Sequence, residues 1–505
     1  MTARTLMIQG TCSSAGKSLL TAALCRIFRR HGLRVAPFKA QNMSNNAAVC
    51  ADGGEIGRSQ AFQALACGIE PTVQMNPVLL KPEADSRSQV IVNGKPWNNL
   101  NARDYFERSK MLWSEMTSAL DSLREEYDLV IIEGAGSPAE LNLQEFDFVN
   151  MRVAHYADAP VLLVGNIELG GIFAQLLGTL SLLPDKDRQQ VCGLIVNKFR
   201  GDQSLFDDGV KILEERSGLP VFGVIPWVTD LNLPEEDAAP VQETRNSPQT
   251  PTDQIDIAVI YFPRISNLDD VDALRSESNT RIRFVRSARH LGSPDAILLP
   301  GTKSTLDDLA WLRETGLADA IIDAAEQGIE VIGLCGGYQM LGTRIENPHQ
   351  FESDIPGADG LGLLPVQTTF EQTPKQTKQT TATICENSPV PGTTGLIVSG
   401  YEIHQGTSTA DDGWLNASGV ACHCDSSGYN NTVWGCYLHG LFHNDRFRAA
   451  WIEKICRRTG KDSSSSKPYA VLIEHELDRL ADEVEAALGT DRLMQLINSQ
   501  VETVS

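Results

Sequence analysis

At 505 residues the chain is too long for one hydrophobic core, and it is expected to divide into two or three domains. Its 42% hydrophobic and 21% charged content is that of a globular protein, and its net charge of −22 argues against nucleic acid or an anionic membrane as partner. An anionic substrate would need a locally basic pocket.

Met1–Ile8 has no long apolar run or small-residue cleavage site, so no signal peptide is expected. Thr5–Gln9 reads as a short buried strand. It runs into Gly10-Thr11-Cys12-Ser13-Ser14-Ala15-Gly16-Lys17-Ser18, then a helix from Leu19 to about His31. Strand, glycine-bounded loop, Gly-Lys-Ser and helix make a phosphate cradle. Loop amides and the helix N-terminus face phosphate oxygens, Lys17 neutralises charge, and the Ser18 hydroxyl suits Mg²⁺. Gly10, Thr11, Ser14, Gly16, Lys17 and Ser18 are therefore the nucleotide-binding candidates.

Val35–Phe38 is a second strand, followed by Lys39-Ala40-Gln41-Asn42-Met43-Ser44-Asn45-Asn46, an amide-rich loop where open α/β sheets bind ligands. Lys39, Gln41 and Asn42 are substrate candidates, joined by Arg58 and Lys81 from polar stretches downstream. Tyr127–Ile132 is a buried strand ending in Glu133-Gly134-Ala135-Gly136, and Glu133 is placed to hold Mg²⁺ across from Ser18. Asp147 follows as a further substrate candidate. Ala159–Leu183 contains one charge, Glu168, but Gly165, Gly170 and Gly171 divide it into a strand and a helix, so it reads as a buried βα unit and not a membrane span. Val191–Val196 leads to Asn197 and Lys198, placed for an adenine-side contact and a cation.

Repeated βα units to Trp227 predict a doubly wound, mostly parallel sheet over residues 1–233. Pro234–Gln254 lacks apolar periodicity and reads as a linker. A second α/β domain is expected over residues 255–459, then a serine-rich joint at Gly460–Lys467 and a helical appendage to residue 505. Eleven scattered cysteines fit reduced thiols and a cytoplasmic location. Cys422-His423-Cys424 lacks a second ligand pair at usable spacing and is read as alternating strand residues.

In the second domain, Glu330–Gly342 (Glu-Val-Ile-Gly-Leu-Cys-Gly-Gly-Tyr-Gln-Met-Leu-Gly) predicts a strand, a sharp turn at Cys335 and a helix. That turn pushes the cysteine into a cleft and points backbone amides at it, which favours a nucleophilic thiolate. Pro300-Gly301-Thr302-Lys303 ends a neighbouring strand, and His404 and His439 end two others.

With Cys335 in its elbow and a later Tyr-Leu-His-Gly, the second half resembles class I glutamine amidotransferase domains. The loop Gly10–Ser18, with one residue more than the common P-loop spacing, resembles dethiobiotin synthetase relatives. End to end the chain resembles the cobyric acid synthase family, with Lys39–Asn46 the most family-specific stretch. The resemblance implies ATP- and Mg²⁺-dependent amidation of the b, d, e and g carboxylates of adenosylcobyrinic acid a,c-diamide, with glutamine as nitrogen donor. A corrinoid polycarboxylate and glutamine would be its partners, with no nucleic acid and no membrane span. Cys335 would attack glutamine, His439 would act as base, and Gly301, Thr302 and Gly336 would line the oxyanion site.

Three features qualify the resemblance. His439 precedes Gly440-Leu441 instead of the Pro-Glu that completes many amidotransferase triads, so a Cys–His dyad is expected. The loop Gly165-Asn166-Ile167-Glu168-Leu169-Gly170-Gly171 replaces the family's usual Gly-Asp-Ile-Asp-Arg-Gly-Gly and loses an arginine. His404 competes with His439 for the role of base. The sister a,c-diamide synthase, and a nucleotide switch without glutaminase activity, are the alternative functions.

Overall fold

The computed structural model describes residues 2–84, 87–229, 231–233, 253–351, 353–371, 375–409, 413–417, 422–424, 431–462 and 467–498, with side chains 84, 101–110, 146, 423 and 424 not described. Most of the expected linker and part of the serine-rich joint lie outside these residues.

Two parallel sheets organise the chain. The first has six strands in the spatial order Val221–Pro226, Val191–Phe199, Val161–Asn166, Arg4–Gly10, Leu129–Glu133 and Val35–Phe38, and each neighbouring pair is parallel. Its central strands are buried along their length, as a sheet covered by helices on both faces requires. Register places Ile8 beside Glu133 and Gly10 beside Val164, so the loop after Gly10 and the carboxylate of Glu133 emerge at the same edge. The glycine-interrupted apolar stretch resolves into the strand Val161–Asn166 and the helix Ile172–Leu182. Among the described residues, no helix is long and apolar enough to cross a membrane.

The second sheet runs Thr280–Val285, Ile255–Ile260, Ala296–Leu299, Glu330–Leu334, Val433–Cys436 and Cys422–Cys424. All its pairs are parallel except the last, so Cys422-His423-Cys424 is an antiparallel edge strand. Glu330, buried at the start of the elbow strand, accepts hydrogen bonds from the indoles of Trp434 and Trp451 and from Lys454. These satisfy a charge that burial would otherwise penalise.

One expectation changes form. Gln41–Met43 is not loop but a short strand beside Val78–Ala84, in a small sheet with Arg87–Val92 and Lys95–Asn101. The C-terminal helix Tyr469–Leu488 buries Ile473, Leu477, Leu480 and Val484, and lays a row of acids on the Lys17–Arg30 helix. Arg26 pairs with Glu474 at 2.6 Å and Asp478 at 2.8 Å, and Arg30 pairs with Asp482 at 2.7 Å.

The two halves of the chain meet across a seam of ion pairs. Glu55, from the N-terminal half, bonds Lys81 at 2.6 Å and Lys375, from the C-terminal half, at 2.7 Å. Lys303 pairs with Glu83 at 3.0 Å, and Arg58 with Asp269 at 3.3 Å. Burial raises the Glu55 pKa, but the two lysines outweigh it and bring it down to about 2. Burial brings Lys375 down to about 8, against the pull of Glu55.

A depressed carboxylate contributes stability above its unfolded pKa of 4.5 and loses it as pH falls towards about 2. In Glu55→Gln this part of the acid loss should vanish. At neutral pH the variant should be less stable by about 3–5 kcal/mol, because two buried ammonium groups lose their counter-ion. Denaturant midpoints measured across that pH range check both signs. An acid limb unchanged in Glu55→Gln would contradict the pairing.

Candidate active sites

The first site is the loop between Gly10 and Ser18. Gly16 takes the left-handed backbone (φ 88°, ψ 24°) that turns the chain into the Lys17–Arg30 helix. A Cβ there would stand 2.4 Å from the Asn197 amide, so glycine is required for both torsion and space. The helix has no acid in its first turn, which leaves its positive end to an anion.

The loop is braced from neighbouring strands. Asn166 donates to the Ser14 carbonyl at 3.1 Å, Asn197 donates to the Ala15 carbonyl at 2.8 Å, and the Thr11 hydroxyl donates to Gln175 at 3.1 Å. Lys17 crosses the loop to the carbonyls of Cys12 at 3.0 Å and Gly136 at 3.2 Å. Glu133 is fully buried beneath it. One of its oxygens accepts from the Ser18 hydroxyl and from Lys39, each at 2.8 Å, and the other accepts from Gln63 at 2.6 Å. A hydroxyl and a carboxylate oxygen at this separation suit one edge of a Mg²⁺ shell whose other ligands are phosphate and water. Among the described residues, no group of three or more His, Cys, Asp or Glu is placed to hold a metal alone.

The remaining candidates of the first half separate by contact. Lys198, at φ 62°, faces Trp227 at 5.7 Å, and Arg200 stacks on the same indole at 3.8 Å. Arg200 also pairs with Glu168 at 2.9 Å, so a cation from another strand reaches the loop that lacks its arginine. Gln41 lies half-buried in its short strand. The Asn42 amide donates to Gln60 at 3.0 Å within the fold.

Three further substrate candidates have partners within the fold. The Asp147 carboxylate accepts backbone N–H bonds from Val149, Asn150 and Met151 at a helix start. Arg58 pairs with Asp269 of the second half. Lys81, paired with Glu55, lines the cleft of Cys335 and not the loop of Lys17.

The second site is the elbow. Cys335 has φ 51° and ψ −110°, a strained conformation for a residue with a side chain, between the Glu330–Leu334 strand and the Gly336–Leu341 helix. The flanking glycines are needed for contact: a Cβ on Gly337 would stand 2.0 Å from the Leu299 carbonyl oxygen, and one on Gly336 would stand 2.7 Å from Thr302 Cγ2. The Pro300–Thr302 loop is thereby pressed against the turn that carries Cys335. Beneath it, Asp308 accepts from the Thr302 hydroxyl and from Arg264, and burial raises its pKa to about 6. Gly301 backs the His439 ring, with Cε1 3.1 Å from where its Cβ would be, and its carbonyl accepts from the Ser266 N–H.

His439 is fully buried, and the Cys335 Sγ donates to the Ile403 carbonyl at 3.5 Å. The His439 Nδ1 lies 2.7 Å from Asp270 Oδ2, while Asp270 Oδ1 accepts from the Gly440 N–H at 2.7 Å. An acid therefore stands beside the histidine of the expected Cys–His pair, supplied from a turn after the strand Ile255–Ile260. Burial works against the imidazolium, but Asp270 and Cys335 prevail and hold His439 well above the usual histidine range. His404 lines the same cleft, stacked on Tyr437 at 3.8 Å and 3.3 Å from Glu402. The cleft is also lined by Lys81, Lys303 and Lys375, which makes it locally basic in an acidic chain.

Sequence reading missed Asp270, Asn267 and Gln63. An available signal was the pair Asp269-Asp270 just beyond the C-terminal end of a predicted parallel strand, where sites in such sheets cluster.

Fold and sites together define a two-headed ligase, with a P-loop nucleotide site in one sheet and a strained cysteine elbow in the other. Residues 6–241 match the CobQ/CobB/MinD/ParA nucleotide-binding domain family, and residues 256–447 match the CobB/CobQ-like glutamine amidotransferase domain family. The chain is 51% identical to the cobyric acid synthase of Chloroflexus aurantiacus, over 98% of this chain and 100% of that one. It is 48% identical to that of Roseiflexus castenholzii over 99% and 100%, and 46% identical to that of Sorangium cellulosum over 98% and 99%. The chain belongs to the cobyric acid synthase family.

Asp270→Asn should lower the basicity of His439 and, with it, the ionisation of Cys335. The rate of Cys335 alkylation by iodoacetamide, followed by peptide mass spectrometry, should shift to higher pH by about 1–3 units. An unshifted profile would show that Asp270 does not act on the pair.

Proposed function

We propose that the chain amidates the b, d, e and g carboxylates of adenosylcobyrinic acid a,c-diamide, using ATP, Mg²⁺ and glutamine. In this reading residues 1–233 form the synthetase domain, 255–459 the glutaminase domain, and the segment from 460 onward a joint and helical clasp. What supports it is the meeting, in one chain of this family, of Lys17, Ser18 and Glu133 at a glycine-bounded loop and of the Cys335 elbow with a His439–Asp270 pair in the other sheet.

A carboxylate resists attack by ammonia, because it is anionic and its leaving group is poor. Phosphoryl transfer from ATP to the corrinoid carboxylate gives an acyl phosphate and ADP, and ammonia then displaces phosphate to leave the amide. Lys17, the loop amides and the helix N-terminus stabilise the transferring phosphoryl group by charge and position. When bound, Mg²⁺ supplies further neutralisation of phosphate charge, and Ser18 and Glu133 are the residues to hold it. Lys39 shares that Glu133 oxygen with Ser18 and would be the cation to face the substrate carboxylate.

Ammonia at neutral pH is mostly ammonium, so the nucleophile is made where it is used. His439 takes the Cys335 proton, the thiolate adds to the glutamine amide carbon, and the oxyanion lies against the backbone amides of Gly336 and Thr302. Collapse forms the thioester while His439 returns the proton to the leaving ammonia, and water then releases glutamate. Lys81, Lys303 and Lys375 set a positive field around the cleft that suits the glutamine α-carboxylate.

Incubation with MgATP, glutamine and the a,c-diamide, followed by mass spectrometry, should show stepwise conversion of carboxylates to amides. Cys335→Ala should abolish glutamine use and leave amidation from ammonium salts largely intact, whereas Lys17→Ala should abolish amidation from either source. An unchanged corrinoid alongside amidation of another carboxylate would overturn the substrate. Loss of ammonia-dependent synthesis in a folded Cys335→Ala would overturn the two-site scheme.

A further inference from the structure

The His439 ring is gripped at both nitrogens by one turn, Asn267–Asp270. Asp270 Oδ2 lies 2.7 Å from Nδ1, and Asn267 Nδ2 lies 3.1 Å from Nε2. The Asn267 amide has its orientation set from the other half of the chain. Its Oδ1 faces the backbone N–H of Ala47 at 3.3 Å, and only the oxygen end of an amide can accept. The nitrogen end therefore donates to Nε2, which places the imidazole lone pair on Nε2 and the proton on Nδ1, towards Asp270.

The turn itself is held from the same side. Asn46 Oδ1 accepts from the Leu268 N–H at 3.2 Å, and Arg58 pairs with Asp269 at 3.3 Å. Asp269 in turn accepts from the Tyr401 hydroxyl with both oxygens at 2.9 Å, and the Tyr401 ring stacks on His439 at 5.2 Å. Asn267 sits at φ 54° and ψ 53°, a left-handed backbone that persists in a non-glycine residue when its surroundings over-determine it.

This geometry opposes the first step of glutamine hydrolysis. Once Cys335 passes its proton to Nε2, that nitrogen is a donor, and it then faces the Asn267 N–H, a second donor with no lone pair to offer. We propose that Asn267 is a positioning residue whose N–H opposes proton transfer from Cys335 to Nε2, against the pull of Asp270, until the first domain shifts the turn, so that glutamine hydrolysis waits on the synthetase site. This rests on the glutaminase reading of Cys335.

Asn267→Gly deletes the amide at a position whose backbone glycine adopts freely, so the fold should survive. In the full-length chain without ATP or corrinoid, glutamine turnover should rise about tenfold, the change that one pKa unit in the pair produces. The KM for glutamine should be unchanged, and iodoacetamide alkylation of Cys335 at neutral pH should accelerate by a similar factor. Arg58→Gln, which loosens the turn from the first domain, should raise both rates in the same direction and add nothing on top of Asn267→Gly. Active wild-type glutaminase with both rates unchanged or lowered in Asn267→Gly would overturn the proposal alone. A wild-type chain that hydrolyses no glutamine even with MgATP and corrinoid would overturn the glutaminase reading beneath it. Additive effects of Arg58→Gln and Asn267→Gly would overturn the link to the first domain.

Discussion

The interaction on which most of the structure depends is the buried contact of His439 with Asp270. A fully buried imidazole beside a thiol is a poor base in isolation, because burial disfavours its charged form. Asp270 reverses that preference, and it can do so only because a second bond, from the Gly440 N–H, holds the other carboxylate oxygen on the strand-end loop that carries the histidine. The acid belongs to a turn after Ile255–Ile260, which two strands, Ala296–Leu299 and the elbow strand, separate from Val433–Cys436 in the sheet. Sheet order is therefore what lets residues 169 positions apart form one proton path past Cys335.

Charge is distributed on the same logic. A chain of net −22 has to place cations deliberately where anions react. It does so by burying lysines against single glutamates: Lys39 on Glu133, Lys81 and Lys375 on Glu55, and Lys303 on Glu83. Each pair is costly to desolvate and weak evidence for stability, but removing one partner leaves a buried charge exposed to a low dielectric. At Glu55 two ammonium groups share one carboxylate, which leaves a positive excess at the mouth of the cleft that Cys335 lines. The acidic exterior and the basic cleft are thus compatible.

Much of this was legible in the residue order, for local reasons. The loop Gly10–Ser18, the strand ending at Glu133 and the elbow at Cys335 are each written in consecutive residues, since a turn of that sharpness needs glycine and a buried parallel strand needs an unbroken apolar run. Alternation likewise identified Cys422–Cys424 as a strand. What sequence order could not show was pairing across distance. Arg58, Lys81 and Asp147 look like substrate contacts because charged residues near glycines or asparagines often are. Only the packed chain shows Asp147 capping backbone amides and the other two holding the domain seam. The third member at His439 was missed for the same reason: its acid lies upstream in another loop, where no local spacing rule points to it.

The seam also explains why the two sites occur in one chain. The helix Arg58–Cys67 carries Arg58 at its first position, on Asp269 beside the nucleophile site, and Gln63 five residues on, bonded to Glu133 beneath the phosphate loop. Five residues of helix span roughly 7.5 Å, well within one rigid, hydrogen-bonded element. The stretch from Lys39 to Asn46, through the short strand Gln41–Met43, makes the same connection on a second route, with Lys39 on Glu133 and Asn46 on the Leu268 N–H. Any ligand that draws Glu133 away from Lys39 and Gln63 changes the partners at one end of both routes at once. The other ends of those routes are the contacts on the turn that grips His439, so one helix and one short stretch of chain touch both the carboxylate under the phosphate loop and the turn beside Cys335.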